Sequence, residues 1–484
     1  MNGWIPALQR GSNEPKYQMI ARAYVQAIRG GQMLPGEKLP AHRLLAKKLG
    51  VTTGTVSRAY DELERCGMVI ARVGDGTYVA EPDTGADGIG ALDRPRVVPS
   101  HSERGAAIGT GHGPAVTARS IDLGQNVPMP TAEAHLFGAT LRAVAADERL
   151  GGELLLYQPE GGKRAHREAG ARWLTQMGCP GPAERVLVTQ GAQHGIACVL
   201  RAVLRPGDTI FAEALSYPGI VALARQLRLN LVGVEIDDEG IVPASLERAC
   251  EMLAPRALFC VPTLHNPTTA TLSDARRDAI AEIASRHHLV VIEDLVHAAL
   301  LDAPPLSIAA RLPESGIAVG SLSKAIAPGL RIGYVHAPQD WVGKILAVIR
   351  SDCWMTAPLN AEIVARWIDA GEVARLVALQ REKIDARQAI AARILEGVAY
   401  RTDRASPHLW LSLPEPWRAS EFAAALRQVG VLVKTADSFV IGRGSAPHAV
   451  RISLGAASDD DALREGLGRV VATLRNGPDG AYSA

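Results

Sequence analysis

The stretch S-L-S-K-A-I-A-P-G-L-R-I-G-Y, Ser321 to Tyr334, places one lysine, Lys324, directly behind an apolar run that begins at Ile317. A short apolar run bounded by small residues predicts a buried strand, so Lys324 is expected just past a strand end. Ser321, Ser323 and Arg331 stand close by in the chain. Two hydroxyls and a guanidinium can together bind a phosphate dianion. Cationic neighbours and partial burial favour the neutral amine, which is the form that attacks an aldehyde. A single lysine of this kind is more often a surface residue, so the reading depends on partners elsewhere in the chain.

Those partners occur at other predicted strand ends. Asp294 closes the run L-V-V-I-E-D and reads as a buried carboxylate that needs a cationic partner, either a protonated pyridine nitrogen or a structural salt bridge. Asn266, in H-N-P-T-T-A, can donate its amide to a ring hydroxyl, although turn chemistry at Asn-Pro explains it equally. Gly191-Ala192-Gln193 follows the strand-like V-L-V-T and opens a helix whose free backbone amides suit a phosphate. Tyr217, before Pro-Gly, can stack on an aromatic ring or simply pack. A lysine for an aldehyde, an acid for a pyridine nitrogen and donors for phosphate and hydroxyl are what pyridoxal phosphate chemistry requires.

Working outward, strand-like runs at Arg185–Thr189, Asp208–Glu213, Leu231–Ile236, Arg256–Pro262, Leu289–Asp294 and Ile317–Ser321 alternate with helical stretches. That rhythm predicts an α/β fold with a doubly wound, mainly parallel sheet. After about Gln339 the pattern turns helix-rich, with strands near His408–Leu413 and Ala449–Leu454, and predicts a smaller α+β C-terminal subdomain. We assign residues 121–484 to this domain, the large subdomain to about 150–340 and the small one to about 341–475. Residues 81–120, rich in Gly, Ala, Pro, Ser, Asp and Arg, read as a flexible linker.

Residues 12–80 read differently. Tyr17, Ile20, Tyr24 and Ile28 recur at helical spacing; Leu39, Leu44, Leu45 and Leu49 suggest a second helix ended by Gly50; Val56, Ala59, Tyr60 and Leu63 mark a third from about Thr52. Met68–Ala71 and Thr77–Ala80 predict a hairpin around Gly74-Asp75-Gly76. Thr52, Thr53, Thr55, Ser57 and Arg58 give the third helix the small polar start that a groove-reading helix needs. Between Glu14 and Asp75 there are ten basic and six acidic residues, a local excess that suits phosphate attraction or forms an ordinary solvated face.

Two resemblances follow from these residues. The string P-G-E-K-L-P-A-H-R-L-L-A-K-K-L-G-V-T-T-G-T-V-S-R-A-Y, followed by G-D-G-T-Y-V, resembles the winged helix-turn-helix of GntR regulators. It implies that Arg43, Thr52, Thr53, Thr55, Ser57, Arg58 and Arg72 face a double-stranded DNA operator and that Gly76 sits at the wing tip. The order Y-Q-P-E-G-G, T-Q-G-A-Q, S-Y-P-G, H-N-P-T, I-E-D, S-L-S-K and V-R-I-S-L-G resembles the fold-type I aminotransferases. This likeness implies pyridoxal 5'-phosphate bound at Lys324 as a Schiff base, with Ala192, Gln193, Tyr217, Asn266, Asp294, His297, Ser321, Ser323 and Arg331 around it. It further implies that Tyr157 reaches the phosphate of a neighbouring subunit in a homodimer and that Arg451 grips an effector carboxylate. His297 stands where that family carries a tyrosine. The fusion resembles the MocR/GabR-type regulators, which implies that an amine or amino-acid effector forms an aldimine with the cofactor and thereby alters DNA binding. Two rivals stand beside it: a working aminotransferase with a vestigial DNA module, and a repressor that has lost its cofactor.

Over all 484 residues, 52 Lys and Arg balance 51 Asp and Glu, so any basic patch must be local. Six scattered cysteines without a C-x-x-C pair read as buried thiols of a reducing compartment, with no metal site. No run is long and apolar enough for a membrane span, and a soluble cytoplasmic protein is expected.

Overall fold

The structure, a computed structural model, describes residues 4–6, 15–72, 76–80, 120–442 and 444–481. The turn residues Gly74 and Asp75 and nearly all of the segment read as a linker, residues 81–119, lie outside the described residues. The chain divides into two compact units, an N-terminal one and one that begins in the main at Ile121.

In the N-terminal unit, helices α1 (Lys16–Arg29), α2 (His42–Leu49) and α3 (Thr53–Arg65) precede a hairpin of β1 (Val69–Arg72) and β2 (Gly76–Val79). The periodic apolar residues become a small core. Ile20, Tyr24, Leu45, Val56, Ala59, Leu63 and Val69 are buried, and each large aliphatic side chain contributes roughly 1.5–3 kcal/mol. Tyr24 and Tyr60 meet edge to face at 5.9 Å, and the Tyr60 hydroxyl donates to Pro40 O at 2.8 Å. Gly50, at φ +62°, ends α2 in the left-handed conformation that glycine adopts without strain. Thr52 Oγ1 accepts from Thr55 N at 3.2 Å and caps α3. Two leucines of the apolar pattern fall elsewhere. Leu39 precedes α2, where its N–H donates to Thr77 O, and Leu44 is 46% exposed.

The second unit is built on seven strands: β3 (Val186–Thr189), β4 (Thr209–Glu213), β5 (Asn230–Val234), β6 (Ala257–Cys260), β7 (Val290–Asp294), β8 (Gly316–Ser321) and β9 (Gly333–His336). Their order is β3-β9-β8-β7-β6-β4-β5. All neighbours run parallel except β9, which is antiparallel to both β8 and β3. The expected α/β class and mainly parallel sheet are therefore present, and β9 is the strand the sequence did not announce. Alternate residues feed two separate cores. Val186, Val188, Ala318 and Tyr334 pack with Trp173 and Trp367. Leu187, Ile317, Val319 and Val335 pack with Ile196, Val199 and Ile345 on the other face. Coverage of both faces is why these strands read as continuous apolar runs.

Helices α4 (Ala192–Val203) and α5 (Gln339–Cys353) lie over the second of these cores. Helix α6 (Glu372–Ile394) places Leu376, Val377 and Ile384 in the first core and Ile390 and Ala391 in a third. That third core belongs to a small antiparallel sheet, β10 (Tyr400–Arg401), β11 (His408–Ser412), β12 (Lys434–Thr435) and β13 (Ala449–Ser453), in the order β10-β11-β13-β12. Among the described residues no helix is long and apolar enough to cross a membrane.

Candidate functional site

The carboxyl ends of β7 and β8, the start of α4 and the loops after β4 and β6 surround one cavity of about 180 Å³. Ala192, Gln193, Tyr217, Asn266, Asp294, His297, Ser321, Ser323, Lys324 and Arg331 all line it. Residues spread over 140 positions of sequence thus converge because they lie at or beyond the ends of neighbouring strands of one sheet.

Lys324 Nζ donates to Asn126 O at 2.8 Å. Burial, then the Arg451 cation, brings its ammonium down to about 8, against the opposing pull of Asp294. Burial pushes the Asp294 carboxyl up to about 7 although it accepts from Val296 N at 3.0 Å. His297 is fully enclosed, and burial followed by the charges of Lys324 and Arg451 takes its imidazole down to about 3, so it is neutral. An amide nitrogen only donates, so Asn126 Nδ2 donates both to His297 Nε2 at 3.2 Å and to His408 Nδ1 at 3.3 Å.

At the opposite end of the cavity the backbone is tightly constrained. Gly191, at φ +83°, precedes α4, and a methyl there would lie 2.6 Å from Arg331 Nη2. A methyl at Gly333 would lie 2.6 Å from the Gly191 carbonyl carbon. Arg331 Nη2 donates to Gln190 O at 3.1 Å, which holds the guanidinium beside the first turn of α4. The amides of Ala192 and Gln193, the hydroxyls of Ser321 and Ser323 and this guanidinium are donors that could hold a dianion.

Arg451, on β13, reaches the same cluster through one hydrogen bond: its Nη1 donates to Asn266 Oδ1 at 2.8 Å, leaving the Asn266 amide group to donate elsewhere. Its Nη2 donates to Gly124 O, and the guanidinium lies 5.2 Å over the Phe439 ring. Tyr157 does not line the cavity of its own chain. It is 81% exposed, beside Trp354 at 5.8 Å. Asn126, His408 and Gly124 were not singled out from sequence. Asn126 stands in D-L-G-Q-N-V-P, beyond the candidate linker and far from every motif, and its amide gave no signal by itself.

On the N-terminal unit Arg43, Thr52, Thr53 and Arg58 are exposed and Thr55 and Ser57 half-buried, on α2 and around the start of α3. Arg58 lies 4.7 Å over the Tyr17 ring. Gly76 is exposed at the start of β2, paired with Arg72, whose side chain lies outside the described ones.

Residues 118–470 match the family described as aminotransferase class I and II. The chain belongs to that family. Residues 16–79 match the bacterial regulatory proteins of the gntR family, so a GntR-type helix-turn-helix is joined to a class I and II aminotransferase domain. An uncharacterized HTH-type transcriptional regulator of Bacillus subtilis, YdeF, is 28% identical over 96% of this chain and 95% of its own. The vitamin B6 salvage pathway transcriptional repressor PtsJ of Salmonella typhimurium is 28% identical over 90% of this chain and 93% of its own. An archaeal alanine:glyoxylate aminotransferase structure superimposes with a TM-score of 0.69 at 23% identity, over 75% of this chain and 92% of the other, which shows the shared fold.

The cofactor of the aminotransferase domain is pyridoxal phosphate. The cavity fits it: among the described residues Gln193 Oε1 is buried with no hydrogen-bond partner and the buried Asp294 carboxyl has no cation at hydrogen-bond distance, while Gly191, lacking a side chain, lets the Arg331 guanidinium close on the α4 terminus. One further grouping lies outside the residues singled out from sequence. His194 and Cys198 stand four apart on α4, and their side chains meet at 3.2 Å.

Proposed function

We propose that the chain is a homodimeric, pyridoxal phosphate-dependent transcription regulator that senses an amine or amino acid at Lys324 and adjusts its grip on a DNA operator accordingly. The observation that carries this reading is the half-buried Lys324, with its lowered proton affinity, in a chain that begins with a GntR-type helix-turn-helix. When bound, pyridoxal phosphate supplies an electrophilic carbonyl onto which primary amines exchange.

The chain's own residues divide the remaining tasks. Ser321, Ser323, Arg331 and the amides of Ala192 and Gln193 hold the phosphate. Asp294 would pair with the cofactor's pyridine nitrogen, where a proton would balance the buried carboxylate. Asn266 and His297 would donate to the cofactor's ring hydroxyl, and Tyr217 would pack against its ring. Lys324, whose Nζ lies in the cavity and donates to Asn126 O, would be the residue that tethers the cofactor's carbonyl group. Arg451, with a fixed planar fork, takes an effector carboxylate. Tyr157, exposed with Leu155, Leu156 and Trp354, belongs to the surface that meets a second copy. Arg43 and the α3 residues Thr53, Thr55, Ser57 and Arg58, with Thr52, Arg72 and Gly76, contact DNA. PtsJ, a repressor by name, supports a regulatory rather than metabolic role for this combination.

Effector and operator affinities must change each other by the same factor. Titrating labelled DNA from the gene's own upstream region with holoprotein, with and without an amino-compound panel, tests this. An effector that shifts the DNA Kd in the native chain and not in Lys324→Ala supports the regulator. Sustained turnover of amino donor and oxo acid without any change in DNA affinity would establish the enzyme instead.

A further inference from the structure

Away from the cofactor cavity, His194 and Cys198 on α4 meet Asp352 and Cys353 at the end of α5. His194 Nε2 lies 3.2 Å from Cys198 Sγ, 3.3 Å from Asp352 Oδ2 and 3.8 Å from Cys353 Sγ. The ligand atoms of His194, Cys198 and Asp352 all fall within 4.8 Å of one another. A tetrahedral zinc site with bonds of 2.0–2.3 Å spaces its donor atoms about 3.3–3.8 Å apart. The three distances from His194 Nε2 are already close to that spacing. We propose that His194, Cys198, Asp352 and Cys353 form a binding site for a zinc-class divalent cation.

The donor set selects the ion. Two thiols and an imidazole favour zinc over magnesium or calcium, which take oxygen donors. Two thiolates and one carboxylate exceed the cation's charge by one, and Arg201 Nη1, 2.9 Å from Asp352 Oδ1, supplies the compensating positive charge. That contact also leaves Oδ2 turned toward His194. Gln190 N donates to His194 Nδ1 at 3.0 Å, so the metal-free imidazole carries its proton on Nε2. On uptake two thiol protons leave to solvent, the imidazole proton moves to Nδ1, and the Gln190 amide gives up one hydrogen bond. Four coordinate bonds outweigh that loss. Asp352 is 39% exposed and Cys353 half-buried, which gives the ion a path in.

Cobalt serves as the spectroscopic probe. Full-length protein stripped with a chelator and titrated with Co²⁺ takes up one equivalent per chain, with a thiolate-to-cobalt charge-transfer band and strong visible bands of a four-coordinate ion in difference spectra. Zn²⁺ then abolishes them. The double variant C198S/C353S loses the charge-transfer band and binds at least about a hundredfold more weakly, and R201A about tenfold more weakly. Because Cys198 is buried, D352N at the exposed rim is the second variant: it weakens cobalt binding while the metal-free chain melts as the native one does. Absence of the band in the native chain, an unchanged band in C198S/C353S, or a Cys198–Cys353 disulfide in protein purified with zinc would overturn the site. None of these outcomes depends on the DNA or effector reading.

Discussion

Lys324 shows how burial sets chemistry at a single residue. Its ammonium releases a proton near 8 rather than 10.5, because burial and the Arg451 charge disfavour the cation. The neutral amine is the reactive form, so capture of pyridoxal phosphate should accelerate as pH rises through about 8 and level off above it. Absorbance-followed reconstitution over pH 6–10 checks this; a rate that climbs without a plateau contradicts it. Asp294 has the opposite sign. Its carboxyl is raised to about 7, so the charged form costs the cofactor-free fold stability above that pH, and the cost disappears as pH falls toward the unfolded value near 3.8. Asp294→Asn should therefore stabilise the cofactor-free chain at pH 8, by roughly 1 kcal/mol or more, while weakening cofactor retention. Thermal unfolding with and without pyridoxal phosphate separates the two effects. Both residues were legible in sequence because each ends an apolar run. Asn126 and His408 were not, since a polar residue brought in from another subdomain leaves no local pattern.

At the scale of elements, the proposed phosphate cradle rests on the contact between the β9 start and the β3–α4 turn. Gly333→Ala places a methyl 2.6 Å from one backbone atom and 2.9 Å from two others, and backbone cannot turn aside as a side chain can. We expect a loss of about 1–3 kcal/mol, read as a lower Tm, together with weaker cofactor retention. Gly329→Ala, which meets nothing within 4 Å, is the matched control. The six parallel strands were readable because burial on both faces demands unbroken apolar runs. β9 was hidden because Gly333–His336 includes a glycine and a histidine, which interrupt the apolar pattern. Leu44 misled for a related reason: in a helix of eight residues, a periodic pattern has too few turns to fix which face is buried. The GntR-type reader offers its own test. Arg43→Ala should weaken binding across DNA sequences and lower the salt slope of log Kd by about 1 if it meets a phosphate. Fluorescence anisotropy at several salt concentrations reads both.

At the scale of the whole molecule, near-neutral charge gave no hint of a nucleic-acid partner, because the basic surplus of one short segment is cancelled by the rest of the chain. Ordered motifs carried the reading of the whole instead. What sequence conveys least is assembly, since an apolar residue on an interface looks like any other apolar residue. Here Leu155 is 89%, Leu156 64% and Tyr157 81% exposed, three consecutive large side chains that a solitary subunit would leave in water. On the reading proposed above, a second copy covers them and Tyr157 supplies a contact to its phosphate cradle. The substitution Leu156→Glu should then drive the chain toward monomer in sedimentation analysis at micromolar concentration, since a carboxylate cannot be enclosed there without a partner charge. The same variant should retain pyridoxal phosphate less well, while Tyr157→Phe should remain dimeric and lose affinity only if the hydroxyl meets the phosphate. A Leu156→Glu chain that sediments as the native chain does would remove this surface from the interface and Tyr157 from its assigned role.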